Sequence, residues 1–234
     1  MTSDPFDLLD EIATVLPPAH WMLVGGLMVH AHAILARVGI NRPTLDADIV
    51  VEVRTAGSYP EAARAIQQLG FEPHDPVNPD APSYRFDRGT DRIDLMAQDR
   101  TEAVRFRSRA VLQVPSSDSA LKNTQSYDLP SGTRIRIPTL GGALALKGAA
   151  CATSSPNTIR HAQDGLVLLA CADAVGVPTF SKSQTTHVNR LLQDLNNIEA
   201  WSLAGPAEVR RAMRAAKAIR SDWAVPSFLT SGWR

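Results

Sequence analysis

The sequence predicts an α+β protein, with a mixed, partly antiparallel sheet in residues 1–138 and a helical C-terminal part in residues 139–234. Two observations support this class. Before residue 138, short β-branched runs alternate with stretches of helical periodicity. After it, four long stretches show helical patterns with no strand-like run between them. The length of 234 residues suits one large domain or two small ones.

The N-terminal elements follow from apolar spacing and from glycine and proline stops. Phe6, Leu9, Ile12 and Leu16 recur at helical spacing, and two prolines end that helix. A short apolar run then meets Gly25-Gly26, which we interpret as a turn. The predicted elements up to residue 70 are a strand at 21–24, a helix at 27–38, a strand at 46–53 and a helix at 60–69.

Two hairpins and a set of helices complete the prediction. "YRFDRGTDRIDLMA" alternates on both sides of Gly89, and "QSYDLPSGTRIRIP" alternates on both sides of residues 130–132, so each indicates a β-hairpin. Beyond residue 138 the Ala- and Leu-rich stretches favour helices. We place the boundary between the two parts there.

Composition excludes several classes of protein. Hydrophobic residues make up 44% and charged residues 21%, which is typical of globular chains. Lys plus Arg equals Asp plus Glu, 24 against 24, so any nucleic-acid surface must be local. No apolar run is long enough to span a membrane, and Cys151 and Cys171 lack metal-ligand spacing. We therefore expect buried thiols, a cytoplasmic protein and no membrane partner.

The sequence places two carboxylates, Asp46 and Asp48, inside an apolar strand-like run. Residues two apart on a strand project from the same face, so the two charges should repel. A divalent cation removes this repulsion, and Mg²⁺ prefers carboxylate, water and phosphate oxygens. We expect Mg²⁺ here, with Mn²⁺ as the alternative. Asp94, between Ile93 and Leu95, is the candidate third carboxylate, able to bind a second metal ion and to orient an attacking hydroxyl.

The glycine pair before these acids predicts a phosphate site. Gly25-Gly26 lets backbone N–H groups approach a phosphate, and the following helix start adds partial positive charge. Arg42, close to Asp46 in sequence, is a further candidate for phosphate contact.

This arrangement resembles the nucleotidyltransferase fold of the DNA polymerase β superfamily. More specifically, "LVGGLMVHAHA" followed by "RPTLDADIVV" is similar to the AbiEii-type family, whose motif is matched by Gly25-Gly26, Thr44, Asp46 and Asp48. The resemblance implies transfer of a nucleoside monophosphate from an NTP to RNA, at the 3′ end of tRNA. It also implies the toxin of a type IV toxin–antitoxin system, opposed by a cognate antitoxin.

The resemblance extends in part to the helical half. Lys147 and Asp164 match a family lysine and acid, whereas Gln163 and Val167 stand where a lysine and an acid are expected. The match implies that Lys147 neutralises the triphosphate and that Asp164 positions Lys147 or contacts the nucleotide. The plainer alternative is that Lys147 is a solvated helix lysine.

A basic stripe near the C-terminus is the candidate RNA contact. Arg210, Arg214 and Lys217 fall on one helix face, and Arg211 and Arg220 flank them. Binding of RNA phosphates and a merely solvated face are both open for this stripe.

Two other functions stay open. One is the same chemistry on a small molecule, as in aminoglycoside-modifying enzymes. The other is an inactive nucleotide-binding or antitoxin-type module that keeps the fold. The sequence does not identify the NTP or the acceptor.

Overall fold

The chain forms an α+β structure with a mixed sheet. The computed structural model describes residues 4–39, 44–53, 58–78, 80–153 and 158–230. Its helices are α1 (Asp7–Val15), α2 (Gly25–Ala36), α3 (Tyr59–Gln68), α4 (Ser117–Leu121), α5 (Leu140–Cys151), α6 (Thr158–Val175), α7 (Lys182–Asp194), α8 (Pro206–Ile219) and α9 (Ser227–Thr230), with 3₁₀ turns at Pro18–His20 and Ile198–Trp201.

The strands build one main sheet and two small hairpins. They are β1 (Trp21–Leu23), β2 (Ala47–Val51), β3 (Glu72–Pro73), β4 (Arg85–Arg88), β5 (Asp91–Gln98), β6 (Arg105–Phe106), β7 (Arg109–Ala110), β8 (Gln113–Val114), β9 (Thr124–Asp128) and β10 (Arg134–Pro138). The main sheet has the order β1-β2-β5-β4-β3, and β8 also pairs with β5. Strands β9 and β10 form one hairpin, and β6 and β7 the other.

The main sheet mixes both pairing directions. Strand β2 lies between β1, to which it is antiparallel, and β5, to which it is parallel. Strand β5 is also antiparallel to β4 through the predicted hairpin at Gly89. The parallel β2–β5 pair is buried, as its Ile, Val, Leu and Ala side chains require.

Several element boundaries differ from the sequence prediction. Helix α1 begins at Asp7, so Phe6, the first apolar residue of the predicted helix, lies immediately before it. Gly25 is already the first residue of α2, so the predicted two-residue turn is part of the helix. Strand β2 begins at Ala47, which leaves Asp46 immediately outside it.

Contacts divide the chain into two compact units, which we describe separately. The first unit comprises residues 1–28 and 44–139, and the second comprises residues 29–43 and 140–234. The sequence boundary near residue 138 had placed residues 29–43 with the N-terminal part. They join the second unit because α2 runs on from Gly25 to Ala36 as one helix, and its residues from Val29 onward cluster with the C-terminal helices.

Glycines set how closely the helices of the second unit approach. A Cβ atom on Gly148 in α5 would lie 2.0 Å from the carbonyl oxygen of His187 in α7. A Cβ atom on Gly165 in α6 would lie 2.4 Å from Leu191 Cδ1. Neither position has room for a side chain unless its neighbour moves. These glycines therefore permit the packing of α7 on α5 and α6.

Two further predictions concern burial and membranes. Cys151 and Cys171 are free thiols and both are buried. Among the described residues, no helix combines the length and the apolar character needed to cross a membrane.

Candidate active site

Gly25 brings the start of α2 against the carboxylate of Asp48. Its φ of +66° lies in the left-handed region, which favours glycine. A Cβ atom at this position would lie 1.8 Å from Asp48 Oδ2, so no other residue fits without displacing that carboxylate. The glycine is therefore required by both the backbone and the acid.

Gly26 continues the same close approach. Its N–H lies 3.4 Å from Asp48 Oδ2, a long hydrogen bond that the α2 N-terminus directs at the acid. A Cβ atom on Gly26 would lie 2.8 Å from Thr44 Cγ2. Gly25, Gly26, Thr44 and Asp48 are thus brought together around the beginning of α2.

The two acids of the Asp-x-Asp motif differ in their position. Asp48 lies within β2 and is half-buried, and its backbone oxygen accepts a hydrogen bond of 2.8 Å from the N–H of Val24. Asp46 is also half-buried but precedes the strand. The strand alternation that predicted a shared face therefore applies to Asp48 and not to Asp46.

Three charged residues form a row across the sheet. Asp94 in β5 is the register partner of Asp48 in the parallel pair β2–β5. It is also the register partner of Arg85 in the antiparallel pair β4–β5. Register partners on neighbouring strands lie about 5 Å apart and project from the same face. The sheet thus aligns Asp48, Asp94 and Arg85 in that order.

Arg85 holds Asp94 through both carboxylate oxygens. Its Nε donates to Oδ1 at 2.9 Å and its Nη2 to Oδ2 at 3.0 Å. The Arg85 side chain is 32% exposed and that of Asp94 is 11% exposed. The hydrogen bonds to Asp94 raise the pKa of the Arg85 guanidinium. Arg85 therefore compensates the most buried acid of the row.

Tyr59 lies beneath the same strand. Its hydroxyl donates to the backbone oxygen of Leu95 at 2.7 Å, and the side chain is fully buried. Burial raises the pKa of Tyr59 well above its usual range, and the negative charge of Asp94 raises it further. Tyr59 thus stays neutral and fixes the backbone of β5 next to Asp94.

The fit to a divalent cation depends on Asp46 and Asp48. No group of three or more His, Cys, Asp or Glu side chains in the described ranges is arranged to hold a metal ion. Arg85 engages both oxygens of Asp94. Mg²⁺ commonly uses one or two carboxylates and takes its other oxygens from phosphate and water. Asp46, Asp48, Asp94 and Arg85 carry two net negative charges, which match one such ion.

The predicted residues of the helical half form a separate pair. Lys147 in α5 donates to Asp164 Oδ2 in α6 at 2.7 Å. Both side chains are buried, with 6% and 9% exposed. Lys147 is therefore not a solvated helix lysine, and Asp164 holds it in place. Contact of Lys147 with a triphosphate stays a prediction.

The basic stripe of α8 is partly compensated by acids. Arg210 and Lys217 are exposed. Arg214 donates to both carboxylate oxygens of Asp173, at 2.9 and 2.6 Å. Arg220 lies beyond the end of α8 and pairs with Asp222 at 2.9 Å. Arg42, the other predicted phosphate contact, lies outside the described residues.

Sequence reasoning missed Arg85. The signal was present, because a hairpin whose turn is centred on Gly89 and Thr90 pairs position 85 with position 94. An arginine directly opposite a buried aspartate predicts a cross-strand ion pair.

Comparison with known proteins adds no relative. No model of a known protein family matches the chain. No curated protein matches it either.

Proposed function

We propose that this protein is a Mg²⁺-dependent nucleotidyltransferase that moves a nucleoside monophosphate from an NTP to an acceptor hydroxyl. The observation that carries the proposal is the position of Asp48. Its carboxylate lies against Gly25 and Gly26 at the start of α2 and beside Asp94 in the sheet. A phosphate-binding helix start and two neighbouring acids are the parts that phosphoryl transfer needs.

The glycines bind the phosphates in this proposal. The absence of side chains at positions 25 and 26 lets a phosphate approach the backbone at the start of α2, and the helix start favours negative charge. Thr44, packed against Gly26, shapes the same surface.

Asp48 and Asp46 would hold the Mg²⁺ ion that accompanies the triphosphate. Bound there, the ion neutralises phosphate charge and makes the α-phosphorus easier to attack. The close approach of Asp48 to Gly25, where a Cβ atom would lie 1.8 Å from Asp48 Oδ2, supports an ion held beside the proposed phosphate-binding surface.

Asp94 accepts the proton of the acceptor hydroxyl. The hydroxyl oxygen forms a bond to the α-phosphorus, the bond from that phosphorus to the bridging oxygen breaks, and pyrophosphate leaves. Asp94 needs a free oxygen for this role, whereas Arg85 holds both. We propose that Arg85 releases one of these hydrogen bonds when the acceptor arrives, since its side chain is partly exposed.

The proposed acceptor is RNA, at the 3′ end of tRNA, and the proposed biological role is the toxin of a type IV toxin–antitoxin system. This part of the proposal rests on the motif resemblance of Gly25-Gly26, Thr44, Asp46 and Asp48. A small-molecule acceptor and an inactive nucleotide-binding module are the outcomes against which it is tested.

The test is incorporation of label from each α-³²P-NTP, with Mg²⁺, into total RNA or into a mixture of aminoglycosides. We expect labelled RNA from the wild type and none from Asp48→Asn or Asp94→Asn. Asp128→Asn, an exposed acid of the β9–β10 hairpin, is the matched control and should label RNA normally. Label in the aminoglycosides alone would identify the small-molecule enzyme. No label with any NTP, or full turnover by Asp48→Asn, would refute the proposed site.

A further inference from the structure

We infer that residues 105–110, the β6–β7 hairpin, form the surface through which the first unit binds the phosphate backbone of RNA. We call this segment the arginine hairpin, after Arg105, Arg107 and Arg109. The choice of RNA as the ligand rests on the proposed function. The existence of an anion-binding surface rests on the geometry and charge of the hairpin itself.

The turn of the arginine hairpin exposes an arginine at a position that favours glycine. Its two turn residues, Arg107 and Ser108, have φ values of +49° and +67°. Two consecutive left-handed residues are typical of the tight hairpin turn that usually contains Asn-Gly. A non-glycine residue in this conformation at an exposed tip is consistent with a role for its side chain.

The other side of the hairpin is anchored to the unit. Phe106 packs against Tyr59 with ring centroids 5.8 Å apart and against Phe86 at 6.0 Å. Arg109, the register partner of Phe106, donates to the backbone oxygen of Asn78 at 3.0 Å. Arg105 donates to the backbone oxygen of Ser108 and so closes the turn. The hairpin is therefore a fixed arm that presents Arg105 and Arg107 to solvent.

Arg105 and Arg107, the exposed arginines of this hairpin, differ in their partners from three other arginines of the first unit. Arg88, Arg92 and Arg134 each lie within 2.9 Å of a carboxylate oxygen. Among the described residues, no carboxylate lies within ion-pair distance of Arg105.

Arg107 reaches Asp75 only at 3.9 Å, and both of those side chains are at least half exposed. In a chain of zero net charge, the hairpin thus presents two exposed arginines without a close acidic partner.

The chemistry of the hairpin favours RNA over a membrane. Guanidinium groups match phosphate oxygens with two parallel N–H bonds. The aromatic residue of the hairpin, Phe106, faces Tyr59 and Phe86, so it is not presented for insertion into lipid. The α8 stripe is the weaker candidate, because Asp173 already engages Arg214 through both oxygens.

The test is the binding of fluorescent deacylated tRNA, without NTP, at 50–200 mM KCl. We expect Arg105→Ala/Arg107→Ala to weaken binding about tenfold for each lost phosphate contact near 0.1 M salt. The slope of log affinity against log salt should fall by about 0.9 for each contact.

The charge-matched control is Arg64→Ala/Arg134→Ala, which removes two exposed arginines from the same unit and should bind as the wild type does. Ser108→Gly, which keeps every arginine, should also bind normally. Equal affinities and salt slopes for the hairpin variant and the wild type would overturn the inference. Equal losses of tRNA affinity in the hairpin and control variants would overturn it as well. So would a hairpin variant that loses binding to phosphatidylserine vesicles, measured in parallel, but keeps its affinity for tRNA.

Failure of the proposed function gives a different result. Hairpin-dependent tRNA binding without any NTP-dependent labelling would refute the transferase and leave the inference intact. If labelling requires Asp48 but tRNA binding does not depend on the hairpin, the inference is refuted and the proposed transferase activity stands. Circular dichroism of each variant reports whether it is folded.

Discussion

Asp94 in the first unit and Asp164 in the second are buried to a similar extent, with 8% and 6% of their surface exposed. Each has a basic partner at hydrogen-bond distance, but the partners differ. Arg85 reaches Asp94 with a side chain that is 32% exposed, whereas Lys147 reaches Asp164 with one that is 6% exposed. One cation is open to solvent, and the other is enclosed with its acid.

This difference separates an exchangeable ion pair from a fixed one. Because the Arg85 side chain is partly exposed, we expect that water, a metal ion or a substrate can replace it at Asp94. Lys147 is enclosed, so separating it from Asp164 removes the compensation that these two buried charges give each other. The first pair suits a reacting site, and the second suits a role in positioning the helices of its unit.

The largest loss of stability is expected when the enclosed ion pair between Lys147 and Asp164 is broken. Lys147→Met should lower the free energy of unfolding of the second unit by about 3–5 kcal/mol, because it removes the cation that is hydrogen-bonded to the buried Asp164. Urea unfolding followed by tryptophan fluorescence measures this, since Trp201 and Trp223 are buried in that unit.

The double variant Lys147→Met/Asp164→Leu is the control for that experiment. Replacing both charges by apolar groups of similar volume should restore most of the stability. If Lys147→Met alone is as stable as the wild type, the pair is not enclosed as described.

The next effect concerns the glycine against Asp48. Gly25→Ala should lower stability by about 1–2 kcal/mol through its left-handed backbone alone, and it should also displace the Asp48 carboxylate. Gly132→Ala is the matched control, because Gly132 has a φ of +92° and no described atom lies within 4 Å of its Cβ position.

Differential scanning calorimetry with and without Mg²⁺ separates the two effects. Both variants should lose stability, but only Gly25→Ala should lose the rise in Tm that we expect Mg²⁺ to cause in the wild type. An unchanged Mg²⁺ response in Gly25→Ala would show that Asp48 does not hold the ion.

A smaller loss of stability is expected when the exchangeable ion pair between Arg85 and Asp94 is broken. Arg85→Gln should lower stability by about 1–2 kcal/mol without Mg²⁺, because Asp94 and the neighbouring Asp48 then repel with less compensation. Added Mg²⁺ should recover more of the Tm in this variant than in the wild type. Arg92→Gln, which removes the partner of Asp87 in the same hairpin, should show no such added recovery.

The smallest effect is a pH dependence of the stability of the second unit. Burial raises the pKa of Cys151 and Cys171 from 9.0 to about 12. Above pH 9 the unfolded thiols release protons that the folded thiols keep, so stability falls as pH rises from about 9 towards 12. Between pH 8 and 9 the two thiols together should lower the free energy of unfolding by about 0.7 kcal/mol.

Urea unfolding at those two pH values measures this change. The variant Cys151→Ala/Cys171→Ala should be less stable at pH 8, because it loses buried volume, but its stability should change less between the two pH values. An identical pH dependence in both proteins would contradict a burial-raised pKa for these thiols.

Much of the fold followed from local sequence. Ile49, Val50 and Val51 predicted β2, and Gly89 predicted the hairpin that contains Asp94. Both are confirmed, because β-branched runs and glycine turns act through neighbouring residues. The two-residue strands β3, β6, β7 and β8 were not predicted, because strands of that length have too few residues to show a period of two.

The candidate site was less accessible to sequence reasoning. Motif spacing indicated Gly25, Asp48 and Asp94 separately, but their arrangement depends on the parallel pairing of β2 with β5, which no local pattern specifies. The same pairing sets Asp94 between Asp48 and Arg85. Strand β2 begins at Ala47 and excludes Asp46. The hydrophobic pattern could not predict this boundary, because it does not show which residue makes the first strand hydrogen bond.

The parallel pairing of β2 with β5 has a consequence for the order of folding. The β9–β10 hairpin and the hairpin at Gly89 join residues close in sequence, whereas Asp48 meets Asp94 only after a long loop has closed. Contacts of that kind form slowly. We therefore expect the row of charges to assemble late. A nascent chain, or a refolding intermediate with both hairpins formed, should then have no activity, and in stopped-flow refolding the Mg²⁺ response should lag behind the β-sheet signal.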